Sequence, residues 1–408
     1  MNSSSTNYTG LKESELDVSV KRLLLTRFKL GLFDENNKKA SVPKYTLDNV
    51  NSKAHQDLAL KLARQGIVLL KNENDILPIS TVSNMTIAAI GPMANASFNM
   101  LGGYHGSTPF LVTPLEAMKE TWGNVKYALG CNASGTLTSK QSIEDAVMTA
   151  SHADMILLGL GLCGNNYAGE SAVCPMIQES EGIDRKSLLL SDPQLELFRK
   201  VDSLNKPIVL FLMNAGGLDI LEMKNSQNVH AIVWSGLGGE FGGRAIVDVL
   251  SGIYNPSGAL TMTWYPEMYA NMTKFHDMSM RGGTPTNPAG RTYRYLNRSI
   301  VKPVFEFGFG LSYTKFDVDF VDGNQVVVRN IGHRTGDCVV ACYFVSIGSH
   351  SLSTKSLIDF TRLENLEPGT EKSVSLSFMD SNHEEGLSDS VRCEVTGGVY
   401  VQRQKKIY

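Results

Sequence analysis

Apolar runs alternate with amphipathic segments through the middle of the chain. Continuous apolar runs predict buried strands at 86–90, 154–160, 207–213 and 229–234. Apolar residues at helical spacing predict helices at 55–67, 114–120, 141–151, 192–204 and 240–250. Buried strands separated by such helices are typical of a mostly parallel sheet that is covered on both faces. We therefore predict an α/β sandwich domain over residues 55–275.

The pattern changes to short alternating runs from Leu311 onward. These runs, at 317–320, 325–328, 338–345 and 373–378, are separated by turn signals. They predict an all-β sandwich over 311–408, comparable to immunoglobulin-like modules, joined to the α/β domain by a connecting segment at 276–310. Cys342 and Cys393 in this region are either a bridge or two buried thiols.

One isolated amphipathic helix is predicted near the start of the chain, over residues 14–30, with Ser14 as N-cap and Gly31 as its stop. Because a lone helix has nothing to pack against, residues 1–34 suggest the last element of a domain whose remainder is absent. Residues 35–54, rich in Asn, Lys and Ser, resemble a linker.

Composition and charge exclude several classes of function. The 408-residue chain has a formal net charge of −3 and a pI near 6.3, which gives no electrostatic signature for nucleic acid or an anionic membrane. No apolar run approaches the roughly 20 residues of a membrane-spanning helix. The chain has no glycine-rich phosphate motif at the start of a helix and no Cys-x-x-Cys pair. We therefore expect no nucleotide cofactor, no metal, and no nucleic-acid or membrane partner.

The most informative segment is the loop 178–185, which follows the predicted strand at 154–160. It carries Glu179 and Glu181 one residue apart, and ligands of open α/β sheets gather beyond the carboxyl ends of the strands. This position suits acid/base chemistry. The ordinary alternative is a solvated ion pair between Glu181 and Arg185.

Two cysteines bracket a polar, glycine-rich insert just before this loop. We predict a disulfide between Cys163 and Cys174 that restrains the insert and contributes about 2–3 kcal/mol. Seven Asn-x-Ser/Thr triplets, which start at Asn2, Asn7, Asn84, Asn95, Asn132, Asn271 and Asn297, also give modest support for secretion. The glycosylation candidates among them are Asn84, Asn95, Asn132, Asn271 and Asn297. The first ten residues contain no signal-peptide core, so an extracellular protein would have its export signal upstream.

Several ordered motifs resemble the carboxyl-terminal part of family three glycoside hydrolases, especially the β-xylosidase branch. They are Gly-Ile-Val-Leu-Leu-Lys-Asn (66–72), Leu-Pro (77–78), Ile-Gly-Pro-Met-Ala-Asn (90–95), Gly-Tyr (103–104), Glu-Ser-Glu-Gly-Ile-Asp-Arg (179–185), Asn-Pro-Ser-Gly (255–258), Thr-Trp-Tyr-Pro (263–266), Gly-Arg-Thr-Tyr-Arg-Tyr (290–295) and Phe-Gly-Phe-Gly-Leu-Ser-Tyr-Thr (307–314). The helix at 14–30, with Arg-Leu-Leu (22–24), looks like the closing helix of that family's (β/α) barrel.

The resemblance implies an α/β sandwich domain that leans on a barrel, followed by a fibronectin type III-like domain. It also implies hydrolysis of β-glycosides with retention, in which a barrel aspartate attacks the sugar and a glutamate of the sandwich domain protonates the leaving oxygen. The two carboxyl groups must then lie about 5–5.5 Å apart. Glu179 matches best as this acid/base, with Glu181 as second choice, and Tyr104 and His105 are candidates for lining the entrance.

Two departures from the family pattern stand out. Ala259 and Thr261 occupy positions where the family commonly has Arg and Pro, and the segment with the barrel nucleophile is missing. The expected function is therefore the carboxyl-terminal portion of a secreted β-xylosidase-like exo-hydrolase, with a glycoside or oligosaccharide substrate and the missing barrel domain as partners. The alternatives are a β-glucosidase, a mixed xylosidase and arabinofuranosidase, or a barrel-less, non-catalytic carbohydrate-binding or interaction protein.

Overall fold

The computed structural model describes residues 12–33, 45–82, 84–135, 139–164, 172–322, 325–345, 355–375, 390–397 and 405–406. The chain divides into two compact units, residues 1–56 and 57–408. None of the described helices is both long enough and apolar enough to cross a membrane. The predicted domain boundaries at 34, 54, 275 and 310 stay predictions.

The first unit contains helix α1 (Glu13–Lys29) and the start of helix α2 (Lys53–Gly66). The predicted cap was wrong: Lys12, not Ser14, is the N-cap residue, and its backbone N–H donates to Glu15 Oε2 at 3.0 Å. A Glu at this position favours the earlier start because its carboxylate satisfies an otherwise free N–H. Gly31 follows the helix in the left-handed region with φ +69°, as a stop residue should.

The second unit is built on a six-stranded sheet. Its strands are β1 (Val68–Asn72), β2 (Ile87–Ile90), β3 (Val125–Ala128), β4 (Met155–Gly161), β5 (Ile208–Met213) and β6 (Val229–Trp234). In space they run in the order β1-β6-β5-β4-β2-β3. All neighbours are parallel except β1, which pairs antiparallel with β6 at one edge. The predicted mostly parallel sheet is confirmed.

Helices cover both faces of this sheet. Helices α3 (Pro114–Trp122) and α7 (Gly242–Leu250) pack on one face, and α4 (Lys140–Ser151), α5 (Asp192–Asp202) and α6 (Leu221–Asn225) pack on the other. Two further short helices, α8 (Glu267–Met272) and α9 (Thr292–Tyr295), follow later in the chain. Side chains alternate along each strand, so Ile87 joins the apolar core that contains α3 and α7, while Ala88 joins the core that contains α4 and α5. Burial on both faces explains why strands β2, β4 and β5 are apolar throughout.

The last part of the chain forms two small antiparallel sheets. Their strands are β7 (Phe316–Asp322), β8 (Gln325–Asn330), β9 (Gly336–Val345), β10 (Lys355–Leu366), β11 (Glu371–Ser375), β12 (Ser390–Val395) and β13 (Lys405–Lys406). One sheet has the order β10-β9-β12-β13 and the other β11-β8-β7. Phe316 and Val326 from one sheet share an apolar core with Val340 from the other, which makes a β sandwich. Its fibronectin type III-like character stays a prediction.

The cysteines at 342 and 393 form a disulfide rather than two thiols. Cys342 on β9 and Cys393 on β12 are direct partners in the same antiparallel ladder, so the bridge joins two strands of one sheet and does not connect the two sheets. Cys131 and Cys338 are free and buried.

Candidate active site

The carboxyl ends of the parallel strands form one edge of the sheet. Strands β2, β4, β5 and β6 end there at Ile90, Gly161, Met213 and Trp234. Because parallel strands all end at the same edge, the loops that follow them lie close together. The loop 178–185 belongs to this edge, as the sequence predicted.

A disulfide fixes the chain just beyond β4. Cys163 is bonded to Cys174, and both are buried. The carbonyl oxygen of Cys163 accepts hydrogen bonds from the backbone N–H groups of Gln178 at 2.8 Å and Glu179 at 3.2 Å. The N–H of Cys163 donates to the Gln178 side-chain oxygen at 3.1 Å. The segment that leads into the two carboxylates is therefore attached to the end of β4.

The two glutamates are separated by a tight turn. Ser180 and Ile183 exchange two backbone hydrogen bonds of 3.2 and 3.1 Å, and Gly182 takes a positive φ of 73°. Glu181 lies on the exposed tip of this turn and forms no ion pair with any described residue. Nothing among the described side chains therefore orients the Glu181 carboxylate.

Glu179 has different surroundings. Its side chain is only 10 % exposed, and one carboxylate oxygen accepts a hydrogen bond of 2.5 Å from the backbone N–H of Ala215. The other oxygen lies 3.6 Å from Nε of Arg185, whose Nη1 donates to the carbonyl oxygen of Gly217 at 2.9 Å. The expected Glu181–Arg185 pair was wrong, because the turn directs Arg185 back toward Glu179.

The loop that holds Glu179 follows β5. Asn214 is fully buried, and its side-chain amide donates a hydrogen bond to the backbone carbonyl oxygen of Gly216. The backbone carbonyl oxygen of Asn214 accepts a hydrogen bond of 3.0 Å from the indole N–H of Trp234. A Cβ atom at Gly216 would lie 2.7 Å from Arg185 Nη2, so glycine leaves room for the guanidinium. The sequence pattern did not single out this loop. The signal was the Gly216-Gly217 pair, which is separated by two residues from the end of an apolar strand.

Tyr104 and His105 lie in a loop that passes beside the carboxylate turn. A Cβ atom at Gly103 would lie 3.9 Å from Ser180 Oγ, which places the loop next to the turn. Tyr104 is 79 % exposed, and His105 Nδ1 lies 2.8 Å from the carbonyl oxygen of Gly106. The two residues are near the site, and their contact with a substrate stays a prediction.

The glycosylation candidates differ in accessibility. Asn84, Asn95, Asn271 and Asn297 are exposed. Asn132 does not fit, because it is only 2 % exposed and its side-chain oxygen accepts hydrogen bonds from Ser134 and Gly135. Asn2 and Asn7 lie outside the described residues.

The fold and the site together define a class: an α/β sandwich that presents one anchored carboxylate at the carboxyl edge of its sheet, followed by a small β sandwich. The model of the glycosyl hydrolase family 3 C-terminal domain matches residues 67–313. The chain belongs to glycosyl hydrolase family 3, of which it represents the C-terminal part.

Relatives and a solved structure agree with this assignment. Probable beta-D-xylosidase 7 of Arabidopsis thaliana is 34% identical over 94% of this chain and 48% of its own length. Beta-xylosidase/alpha-L-arabinofuranosidase 1 of Medicago sativa subsp. varia is 34% identical over 78% of this chain and 40% of its own length. The GH3 exo-beta-xylosidase (XlnD) in complex with a xylobiose aziridine activity based probe superposes with a TM-score of 0.80 at 28% identity, covering 94% of this chain and 52% of that one. The chain spans about half the length of these relatives.

Proposed function

We propose that this chain supplies the general acid/base of a retaining exo-β-xylosidase. In this proposal the protonated Glu179 carboxyl donates its proton to the leaving glycosidic oxygen. The resulting carboxylate then removes a proton from the water that hydrolyses the glycosyl-enzyme. The nucleophile belongs to a barrel domain that is outside this chain.

One observation carries the choice of Glu179: its carboxylate is anchored on both oxygens at the carboxyl edge of the sheet, by Ala215 N–H and by Arg185. A catalytic group must be held in productive geometry by its surroundings. Glu181 has no comparable support among the described residues. The xylosidase relatives and the xylosidase structure support the reaction class.

Comparing leaving groups tests this assignment in a polypeptide that joins the chain to a family 3 barrel domain. We expect Glu179→Gln to lower kcat/KM for xylobiose by about 10²–10⁴-fold, because a poor leaving group needs a proton in the transition state. Glycosylation by an activated aryl β-xyloside should change much less, since that leaving group departs without a proton. Glu181→Gln is the matched control and should have a small effect on both substrates. The reverse pattern would transfer the role to Glu181.

A second candidate is a mixed β-xylosidase and α-L-arabinofuranosidase, which the name of the Medicago relative favours. The same joined polypeptide assayed on aryl β-xyloside, β-glucoside and α-L-arabinofuranoside distinguishes the candidates. Comparable kcat/KM on the xyloside and the arabinofuranoside would favour the mixed activity, whereas a preference for the glucoside would favour the β-glucosidase alternative.

We also propose an extracellular location. The two disulfides and the exposed asparagine triplets support it, because disulfides persist in oxidising compartments. Expression through a eukaryotic secretory pathway, followed by endoglycosidase treatment, should shift the mass of the chain, and mapping should find glycans at exposed sites but not at Asn132. A secreted chain without any glycan would contradict the glycosylation part of this proposal.

A further inference from the structure

A cavity of about 610 Å³ lies between the α/β sandwich and the four-stranded sheet of the β sandwich. The residues that line it include the aromatic residues Trp234, Phe307, Tyr343 and Phe360. None of the four candidate site residues, Glu179, Glu181, Tyr104 and His105, lines it. The function proposed above therefore leaves this cavity unexplained.

The alternation of β9 creates one wall of the cavity. Val340 and its neighbours two positions away point into the sandwich core, whereas Ala341 and Tyr343 point outward and line the cavity. The opposite wall is the segment 258–261, in which Ala259 and Thr261 have short side chains. At Ala259 the family resemblance would lead one to expect Arg, so a smaller group borders the space here.

The charged groups around the cavity are already paired within the protein. Arg362 Nη1 donates to Ser257 Oγ at 2.7 Å, and its Nη2 donates to the carbonyl oxygen of Gln65 at 3.3 Å. Glu394 pairs with Lys355 at 3.1 Å. A ligand with a net charge would have to compete with these contacts. An uncharged ligand could bind without breaking these internal contacts.

The remaining surface is mostly apolar and includes several aromatic residues. Aromatic rings attract other rings in offset or edge-to-face arrangements, beyond the effect of buried area alone. Sites for small molecules typically have volumes of about 300–1,000 Å³, are mostly apolar and often lie between domains. The volume, the aromatic residues and the internally paired charges all favour a small, uncharged ligand with an aromatic ring.

We propose that this cavity is a binding site for a small, uncharged aromatic molecule. Trp234 connects the cavity to the carboxylate site. It lines the cavity, and its indole N–H donates to the backbone carbonyl oxygen of Asn214, the residue before the Ala215 N–H that holds Glu179. A bound ligand would thus contact Trp234, whose hydrogen bond to Asn214 supports the loop that holds Glu179.

The test uses N-phenyl-1-naphthylamine, an uncharged aromatic dye whose fluorescence rises in apolar surroundings, and the full chain. We expect saturable binding to the unmodified chain. Ala259→Phe and Ala341→Phe fill the cavity from opposite walls, and each should weaken binding by at least about tenfold. Ala270→Phe, at an exposed position of α8, is the matched control and should bind the dye as the unmodified chain does.

Folding of each variant is checked first by cooperative thermal unfolding. Where a Phe variant does not fold, Ala→Leu at the same position replaces it. The proposal stands if both folded cavity variants lose affinity and the control keeps it. It is overturned if the unmodified chain shows no saturable binding, or if either folded cavity variant binds the dye like the control, because the dye would then occupy another surface such as the exposed apolar residues of α1.

Discussion

Glu179 and Glu181 lie on one turn with only Ser180 between them, yet they have opposite environments. The Glu179 side chain is 10 % exposed and accepts a backbone hydrogen bond from Ala215, whereas Glu181 is exposed on the tip. The sequence could identify the pair, because both follow an apolar strand. It could not identify the anchor, because Ala215 and Gly217 are more than 30 positions away and meet the turn only when β4 and β5 pair side by side.

The contact between Glu179 and Arg185 predicts an effect on the free energy of unfolding that can be measured in this chain alone. Arg185→Met should lower the free energy of unfolding by about 1–3 kcal/mol, because it leaves a largely buried carboxylate and a carbonyl oxygen without their charged donor. Arg199→Met removes a pair with Glu222 that is exposed on both sides, and this control should change stability little. Urea unfolding measures both. Equal effects would mean that Arg185 has no special role in holding Glu179.

The cysteines give a second prediction at the residue scale. Burial raises the pKa of the Cys131 thiol and of the Cys338 thiol to about 12, and the other four cysteines are in disulfides. We expect a thiol reagent at mildly alkaline pH to modify no cysteine in the native chain, because only thiolates react. In denaturant without reductant it should modify two cysteines per chain. Four or more reactive thiols after denaturation would contradict the disulfide assignment.

At the scale of elements, segments with a clear apolar pattern could be predicted and ambiguous ones could not. The helix at 141–151 was found from apolar residues at helical spacing, and the strand at 229–234 was found as a continuous apolar run. Strand β1 (Val68–Asn72) was missed because it follows α2 after a single residue, and a short apolar run there fits a helix or a strand equally well. Strand β3 (Val125–Ala128) was missed because only Val125 in it is buried.

The loop that contains Asp277 predicts that the stability of the folded chain depends on pH. Asp277 accepts hydrogen bonds from Ser279, Thr284 and Thr286, and these bonds hold the pKa of its carboxyl well below the ordinary value. A pKa that is depressed in the folded state stabilises the protein fully above the pKa of the unfolded chain, about 4, and this stabilisation is lost as the pH falls from there toward the pKa of the folded state.

Asp277→Asn should therefore lower the melting temperature by a few degrees near neutral pH, and the difference from the unmodified chain should shrink toward about pH 3. Asp184→Asn is the control, because Asp184 is exposed and has no hydrogen-bond partner among the described residues. Thermal unfolding followed by circular dichroism at several pH values measures both. A difference that stays constant with pH would show that the carboxylate charge of Asp277 does not matter.

At the scale of the whole molecule, the order of an α/β sandwich before a β sandwich could be predicted from the change in hydrophobic period. The cavity between them could not, because it depends on how Ala341 and Tyr343 of β9 face the segment 258–261 across the junction. Sequence patterns report local periodicity, whereas a space between two packed parts depends on contacts between distant residues.

The chain alone should show no glycosidase turnover, because an acid without a nucleophile cannot form the glycosyl-enzyme. Turnover of an aryl β-xyloside that Glu179→Gln abolishes would show a complete site in this chain and contradict the need for a barrel domain.

We also expect the chain to self-associate, because apolar side chains of α1 are exposed, including Leu23 at 53% and Phe28 at 64%. Sedimentation should show association that weakens in Phe28→Lys.

The central claim, that Glu179 is the general acid/base, is tested most directly by chemical rescue in the polypeptide joined to a barrel domain. Glu179→Ala should leave a glycosyl-enzyme that water attacks slowly, because no base activates the water. Azide needs no base, so we expect it to restore turnover of an activated aryl β-xyloside and to release β-xylosyl azide. We expect rescue in Glu179→Ala and none in Glu181→Ala, whereas rescue only in Glu181→Ala would mean that Glu181 is the general acid/base.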